Sequence, residues 1–433
     1  MAGLGAAYRL RQEGVSSVVY DKLDFPGGHA ASFVHEEGFI FDDGPHISFT
    51  KDERFQELLA RSVGGEYETL YAYVNNYWKG HWVKHPAQCN LHGLPEDLVV
   101  NVLRDFIHAQ HTQDEAQIRN YEDWLLASYG KTFAENFPMV YTRKFHTTEA
   151  RNMSTDWLGP RLYRPELEEV LRGAITPSTP DVHYVSDFRY PTHNGFAGYL
   201  GAFTRETDIR LGHRVARIDP KARQIHFADG KRTEYDFLVS SLPLPELVPL
   251  IDGAPRDVVE ATSRLAATEC VTVNVGIDRE DITDAHWTYF YDPEIYFTRL
   301  SFPHLFSPHT TPPGASSVQA EVYFSPKYKP RDVSAEECIE PVIRDLRACG
   351  YIREDDRILF KNARVIPYAN VIFDLERASA LETVHGYLSE IGIPCSGRYG
   401  EWGYHWTDDA FKSGENAAQT VLDGMYSGQG VAG

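Results

Sequence analysis

The first 21 residues carry a glycine and an acidic residue at the spacing of a dinucleotide-binding unit. Gly3 opens a segment of helical periodicity, and Asp21 follows it by 18 positions, directly after the β-branched pair Val18-Val19. In such units the helix N-terminus binds a pyrophosphate, and an acid about 20 residues after the glycine loop hydrogen-bonds the ribose. An ordinary amphipathic helix followed by a strand gives a similar string.

Gly3 fits only the third glycine of a G-x-G-x-x-G loop. The first strand of the unit and the first two glycines are missing from the sequence. The sequence therefore predicts one of two origins for Met1. Either it is an internal methionine of a longer reading frame, at which the start was placed, or the chain is truly truncated.

Two further glycine-containing segments and one turn with a histidine contain residue types that are suited to binding a ligand. Pro26-Gly27-Gly28 follows the acid, and the glycine-rich segment 397–403 opens a helix at about Asp408. Glycine lets the backbone pass close to a ligand, and a helix start directs N–H groups at anions. The turn Gly44-Pro45-His46 presents an imidazole, although a histidine in such a turn is commonly a surface residue.

Arg299 lies in the apolar, aromatic run YFTRLSFPHLF, where a merely solvated charge would be costly. A planar guanidinium binds two phosphate oxygens at once, and tyrosine adds a neutral donor at little entropic cost. This residue is the best candidate for an anion contact. The 18 histidines show no HxH or HExxH spacing, so no metal site is predicted.

The composition is that of an ordinary globular protein long enough for two or three domains. The 433 residues are 42% hydrophobic and 24% charged, with a net charge of -20 that argues against a nucleic-acid partner. Five scattered cysteines without a CxxC pair suit a reducing cytoplasm. The sequence contains no run of 18 apolar residues, so no integral membrane segment is predicted.

The elements that must position these residues alternate between helices and strands. Residues 95–173 predict a helical insert, and an amphipathic helix is predicted from residue 334. Hairpins are predicted with turns at Lys79-Gly80 and at Ala228-Asp229-Gly230. Because no repeat or low-complexity linker separates these parts, we expect interleaved domains.

Several separated motifs together resemble the flavoprotein superfamily of amine oxidases, protoporphyrinogen oxidase and UDP-galactopyranose mutase, over nearly the whole chain. Asp21 with Gly27-Gly28 resembles its second FAD-contacting element. The segment from Gly397 to Trp402, followed by Ser413-Gly414, resembles its C-terminal FAD loop.

The resemblance implies an α/β fold in which a Rossmann-like FAD-binding domain, without its first strand, is interleaved with an α+β substrate domain. We assign residues 1–70, 200–255 and 365–433 to the FAD-binding domain. Residues 71–199 and 256–364 form the substrate-binding domain with its helical insert.

Within the superfamily the motifs are most similar to UDP-galactopyranose mutase. They are the Gly44-Pro45-His46 turn, YTRK at 141–144, PTHNGFAGYLGAF at 191–203, Thr298-Arg299, IPYANVIFD at 366–374, and Tyr404. In those mutases the reduced flavin attacks the anomeric carbon, a nucleoside diphosphate leaves, and the sugar recloses in its other ring form. The resemblance thus implies FAD, used as FADH2, a nucleotide-sugar substrate, and a role in glycan biosynthesis.

The resemblance also implies a set of site residues. The catalytic candidates are His46, Arg299 and Tyr404, beside the flavin as reacting group. The substrate-binding candidates are Tyr141, Arg143, Arg161 or Arg164, and Tyr199. The cofactor-binding candidates are Gly3, Asp21, Gly27, Gly28, Val215, Gly397, Arg398, Glu401, Asp408 and Ser413.

Three segments depart from the mutase pattern. Phe145-His146 replaces a Gln-Trp pair, residues 300–303 lack a common acidic residue, and Trp406-Thr407-Asp408 replaces an Asp-Met-Asp type of ending. A different nucleotide sugar or reaction therefore stays open. The alternatives are an FAD-dependent oxidoreductase of the amine oxidase or protoporphyrinogen oxidase type, which takes a hydride from a small substrate, and a truncated, cofactor-free relative.

Overall fold

The computed structural model describes residues 1–112, 117–159, 162–182 and 185–427. The helices are α1 Ala2–Gln12, α2 Glu53–Ser62, α3 Glu96–Thr112, α4 Tyr121–Tyr129, α5 Lys131–Asn136, α6 Pro138–Phe145, α7 Leu167–Ile175, α8 Gly201–Arg205, α9 Leu244–Leu247, α10 Arg256–Thr262, α11 Ile339–Ala348, α12 Arg377–Glu390, α13 Gly397–Gly400 and α14 Thr407–Tyr426. The strands are β1 Val18–Tyr20, β2 Ser32–Val34, β3 Ile40–Asp42, β4 Tyr67–Tyr71, β5 Val74–Trp78, β6 His81–Lys84, β7 Asp187–Pro191, β8 Asp208–Arg210, β9 Val215–Asp219, β10 Gln224–Phe227, β11 Arg232–Glu234, β12 Ala266–Ile277, β13 Trp287–Phe290, β14 Arg299–Ser301, β15 Ser316–Phe324 and β16 Ile358–Ile372. The predicted α/β class is confirmed.

A seven-stranded mixed sheet carries the predicted anion-binding arginine. Its order is β16-β12-β15-β14-β13-β5-β6, with only β13 and β5 parallel. Strand β15 is buried along its whole length, as expected for a central strand covered on both faces. The register places Arg299 of β14 opposite Glu321 of β15 and Tyr289 of β13.

The N-terminal unit forms next to this sheet. Strand β1 pairs in parallel with β8, from Val18 opposite Asp208 to Tyr20 opposite Arg210. Among the residues that the structure describes, no strand pairs with the other edge of β1. The segment 237–241 and strand β1 line one common cavity.

The two predicted hairpins form where the sequence indicated. Strands β5 and β6 are antiparallel, with Lys79 and Gly80 at positive φ in the turn. Strands β10 and β11 are antiparallel around residues 228–230. In the ranges given above, none of the helices combines the length and the apolar character needed to cross a bilayer.

Two glycines let the first and last helices cross at backbone contact. A Cβ on Gly5 of α1 would lie 2.1 Å from the Phe411 carbonyl oxygen, and one on Gly414 of α14 would lie 2.0 Å from the Ala2 carbonyl oxygen. Any side chain would force the helices apart, since backbone cannot move as a side chain does. The crossing joins residues about four hundred positions apart in sequence, as the Arg9 bond to Gln419 also shows.

We predict that Gly5→Ala and Gly414→Ala each lower the free energy of unfolding by about 1–3 kcal/mol, because overpacking here meets backbone atoms. Gly386→Ala in α12 is the matched control: no atom lies within 4 Å of its added Cβ, and alanine should stabilise the helix by up to about 1 kcal/mol. Urea unfolding measures all three. Unchanged stability in both crossing variants would contradict this helix contact.

Candidate functional site

A cavity of about 1150 Å³ connects the N-terminal unit with the seven-stranded sheet. This volume exceeds the range of about 300–1,000 Å³ that is usual for small-ligand pockets. Ten of the predicted site residues line it: Gly3, Asp21, Gly27, Gly28, His46, Val215, Arg299, Gly397, Arg398 and Tyr404. The sequence motifs that suggested binding thus converge on one space.

The N-terminal end of the cavity is built from α1, β1 and the loop after β1. The backbone N–H of Asp21 donates to the Arg210 carbonyl, and its carboxylate accepts from the Leu23 N–H at 2.9 Å. Gly27 has φ of 95°, and a Cβ there would lie 2.3 Å from Leu200 Cδ1. The positive φ and the close Leu200 side chain both require glycine at this position.

The C-terminal loop is held from behind by residues outside the lining. The Gly397 N–H donates to Ser413 Oγ at 2.8 Å, and that hydroxyl donates to the Glu401 carboxylate. Glu401 also lies 3.2 Å from His405 Nε2. Asp408, in the first turn of α14, accepts from Thr50 Oγ1 at 2.6 Å. Ser413, Glu401 and Asp408 therefore position the loop and helix rather than lining the cavity.

His46 is held as a neutral imidazole. Its Nδ1 donates to the Gly44 carbonyl oxygen at 2.8 Å, which fixes the tautomer and leaves Nε2 as an acceptor. Burial lowers the pKa of His46 to about 4, partly offset by that hydrogen bond. At neutral pH the residue can accept a hydrogen bond but carries no charge.

Arg299 forms an ion pair with Glu321, the partner that sequence analysis missed. Its Nη2 donates to Glu321 Oε1 at 2.9 Å, and Nε donates to the second carboxylate oxygen. The Tyr323 hydroxyl donates to the same carboxylate at 2.9 Å. Burial opposes the charge, but the attraction of Glu321 raises the pKa of Arg299 above its usual value. The indication in the sequence was a glutamate within the otherwise β-forming run SSVQAEVYF.

Arg398 forms no ion pair with a carboxylate among the described residues. Its guanidinium donates to the carbonyl oxygens of His405 and Ala369 at 2.9 and 3.0 Å, and to the Asn370 amide oxygen. It also lies 5.4 Å from the centre of the Tyr404 ring. The cavity wall is therefore cationic at this position.

A second unforeseen cluster lines the cavity around Asp43. His29 Nδ1 lies 2.8 Å from one carboxylate oxygen, and Arg364 Nε donates to the other at 2.6 Å. Burial alone would raise the pKa of Asp43, but these hydrogen bonds outweigh it and lower the pKa. The neighbouring Asp42 points into the protein, where Ser32 and Tyr190 donate to it.

None of the predicted substrate-binding residues that the structure describes lines the cavity. Tyr141 stacks on Phe145 behind the wall, and Tyr199 is buried in the core, because both rings complete hydrophobic clusters. Arg143 is exposed and pairs with Glu149 at 3.3 Å, because its helix turns that face to solvent. Arg164 is exposed on the insert, and Arg161 lies outside the described residues.

Adjacent carboxyls should respond to pH in opposite directions. Burial raises the pKa of Asp42 to about 6, so its contribution to stability is present below about pH 4 and is lost as pH rises through 6. The free energy of unfolding of Asp42→Asn, relative to that of the native chain, should therefore rise as the pH increases from 4 to 7, by up to about 2–3 kcal/mol.

Asp43→Asn supplies the contrast for that experiment. The pKa of Asp43 is lowered, so its contribution is present at neutral pH and is lost as pH falls below about 4. This variant should be less stable than the native chain at pH 7, and the difference should shrink on acidification. Chemical unfolding from pH 7 down to about pH 3 covers both transitions, and a change of both variants' stabilities in the same direction at pH 7 would contradict the assignment.

Removing the charge of Glu321 should be costly. Glu321→Gln leaves Arg299 partly buried without its counterion, and we expect a loss of about 2–4 kcal/mol in the free energy of unfolding. The matched control is Glu260→Gln, which breaks an exposed pair with Arg256 and should cost about 0.5 kcal/mol or less. Equal losses of unfolding free energy in the two variants would show that the buried ion pair contributes no more to stability than the exposed one.

Comparison with known proteins is consistent with this geometry. A crystal structure of reduced UDP-galactopyranose mutase matches with TM-score 0.92 and 26% identity, covering 98% of this chain and 93% of that chain. A protein provisionally assigned as a protoporphyrinogen oxidase from Exiguobacterium sp. 255-15 shares the fold, with TM-score 0.73, 14% identity, and coverage of 98% and 97%. A putrescine oxidase variant shares it with TM-score 0.65, 14% identity, and coverage of 98% and 97%. The family model for flavin-containing amine oxidoreductases matches residues 1–422, and the chain belongs to that family.

Proposed function

We propose that this chain uses FAD, in its reduced form, to interconvert two ring forms of a nucleotide-linked sugar. The observation that carries the proposal is the similarity to UDP-galactopyranose mutase, which extends over almost the whole length of both chains. The cavity supports it, because His46, Arg299, Arg398 and Tyr404 all line it. These are the residue types expected to bind a diphosphate sugar without a side-chain nucleophile.

The cavity suits a flavin dinucleotide. Gly3, Asp21 and Gly27-Gly28 stand at its N-terminal end, where an adenosine and pyrophosphate would bind. The buried Ser396 Oγ and His405 Nδ1 have no hydrogen-bond partner within the described chain, and both residues line the cavity. Buried polar atoms of this kind are normally satisfied, so a bound polar group would complete them. When bound and reduced, the flavin supplies the electron-rich centre for reaction at the anomeric carbon.

The remaining chemistry falls to the protein's own side chains. Arg398 offers the uncompensated positive charge for a phosphate oxygen, and Tyr404 lies beside it as a neutral donor. Arg299 donates through Nε and Nη2 to Glu321 and also hydrogen-bonds the Tyr289 side chain, so its guanidinium is held in a fixed orientation on the wall. His46 accepts a hydrogen bond through Nε2 over the neutral pH range.

One observation favours the second candidate, an oxidoreductase that removes hydride from a small substrate. The Arg299–Glu321 pair is electrically neutral, so this part of the wall attracts a diphosphate less than a free arginine would. A neutral wall suits an uncharged substrate group. The two candidates differ in electron balance, because ring interconversion consumes no net electrons.

The test is turnover of UDP-galactose by the anaerobic flavin-loaded protein, with product ring form read by NMR. We expect conversion only after the flavin is reduced, with no continuing consumption of reductant. Arg299→Lys should lower kcat/KM about 10- to 100-fold, because it loses the forked contact to Glu321. The control Arg256→Lys alters an exposed ion pair and should leave kcat/KM unchanged.

Two outcomes would contradict the mutase proposal. Bleaching of oxidised flavin by substrate in the absence of reductant, with an oxidised product, would identify the oxidoreductase instead. Retention of flavin with neither conversion nor binding across UDP-, dTDP- and GDP-linked hexoses would exclude the nucleotide-sugar assignment.

A further inference from the structure

A second pocket, with a volume of about 350 Å³, opens where the seven-stranded sheet ends at strand β6. We call it the edge pocket. The lining side chains that matter below are those of Tyr73, Asn75, Trp82, Thr283, Asp284 and Tyr351. Of the residues that the structure describes, none lines both the edge pocket and the large cavity.

The edge pocket lies on the sheet face that points away from Arg299. Asn75 of β5 is paired with Thr288 of β13, so their side chains share one face. Thr288 alternates with Tyr289, whose side chain is on the same face as that of its partner Arg299. A ligand in the edge pocket is therefore separated from the large cavity by the sheet.

Two aromatic residues of the edge pocket are open to solvent. Tyr73 is 47% exposed and Trp82 is 48% exposed. The Trp82 ring makes T-shaped contacts with the rings of Tyr77 and Tyr351, at centroid distances of 5.0 and 5.8 Å. The Tyr73 N–H donates to His286 Nδ1 at 3.0 Å, and its carbonyl oxygen accepts from the His286 N–H at 2.8 Å. Both residues are thus anchored to the sheet while about half of each stays accessible.

Three polar side chains of the edge pocket have unused hydrogen-bonding capacity. Within the described ranges, neither the Asn75 amide nor the Asp284 carboxylate has a hydrogen-bond or ion-pair partner. Thr283 Oγ1 accepts from the Ala285 N–H at 3.1 Å, which leaves its hydroxyl hydrogen to donate. Together they offer a carboxylate acceptor, an amide donor and acceptor, and a hydroxyl donor.

We propose that the edge pocket binds a neutral pyranose unit of a saccharide, stacked on Trp82. The C–H groups on one face of a pyranose pack on an aromatic ring, whereas the hydroxyl groups at its rim need donors and acceptors. The two exposed rings meet the first requirement, and the three polar side chains meet the second. The volume is near the lower end of the range usual for small-ligand pockets, which suits one or two sugar rings. The inference goes beyond the proposed function and does not depend on the reaction in the large cavity.

Two other ligand classes fit the edge pocket less well. No lysine or arginine is among the described residues that line it, so it lacks the cationic donors that bind a phosphate. A quaternary ammonium ion is attracted by aromatic rings beside a carboxylate. Such an ion neither donates nor accepts a conventional hydrogen bond, so it leaves the Asn75 and Thr283 groups unused.

The first experiment measures sugar binding to the flavin-loaded protein. Methyl glycosides of glucose, galactose and mannose, together with lactose and cellobiose, are titrated while saturation-transfer NMR and tryptophan fluorescence are recorded. UDP is added as a competitor for the large cavity. We expect at least one sugar to bind with millimolar affinity and to stay bound when UDP is present. Failure of every sugar in the panel to bind would overturn the proposal.

The second experiment locates the bound sugar. Trp82→Ala should weaken binding at least about tenfold, because it removes the stacking surface. Trp82→Phe keeps an aromatic face and should weaken binding less than about threefold. Tyr73→Ala is a second truncation in case Trp82→Ala folds poorly. Tyr71→Ala is the matched control, because Tyr71 is 58% exposed but lies outside the edge pocket. Unchanged affinity in the folded Trp82→Ala or Tyr73→Ala protein would contradict the proposal.

Two further results would assign the edge pocket to another occupant and overturn the proposal. Binding of tetramethylammonium that is lost in Asp284→Asn, with no sugar binding, would identify a cation site. A concentration-dependent dimer that Trp82→Ala dissociates, with no sugar binding, would identify an interface between two copies of this chain. Turnover in the large cavity is measured separately, so failure of this inference is distinguishable from failure of the proposed function.

Discussion

The ion pair between Arg299 and Glu321 constrains the sheet around it. An arginine on a central strand is stable only with a counterion, because desolvation of an isolated charge is expensive. Glu321 supplies that counterion only when β14 and β15 pair in the observed register. A shift of one residue between the two strands would place the two side chains on opposite faces of the sheet. The same register brings Tyr289 and Tyr323 to the pair, so the polar wall of the cavity is fixed as one unit.

Local features of the site could be predicted from the sequence, because they depend on a few adjacent residues. Glycines at 27, 44 and 397 adopt positive φ, and the chemistry of the two hairpin turns determines their position. The acid after β1 follows from the spacing of the helix and strand. These predictions required no knowledge of which strands are neighbours.

The remainder of the site depends on contacts between distant parts of the chain. Glu321 meets Arg299 through strand pairing, and Arg364 meets Asp43 across 321 positions. Neither partner has a local sequence pattern that identifies the other. The same limitation explains Arg143: its motif resembled a substrate contact, but the orientation of α6 sends the side chain to Glu149 on the surface. Helix orientation is decided by tertiary packing, which periodicity alone does not specify.

The distribution of charge in the cavity separates two kinds of polar contact. Arg398 is cationic toward the cavity, because carbonyl and amide oxygens accept its hydrogen bonds without cancelling its charge. The Arg299–Glu321 pair presents a donor and an acceptor side by side with no net charge. A phosphate is attracted to the first arrangement, whereas the second matches a hydroxyl group, which both donates and accepts. A substrate with an anionic end and hydroxyl groups would meet both surfaces, and the proposed nucleoside diphosphate sugar has this composition.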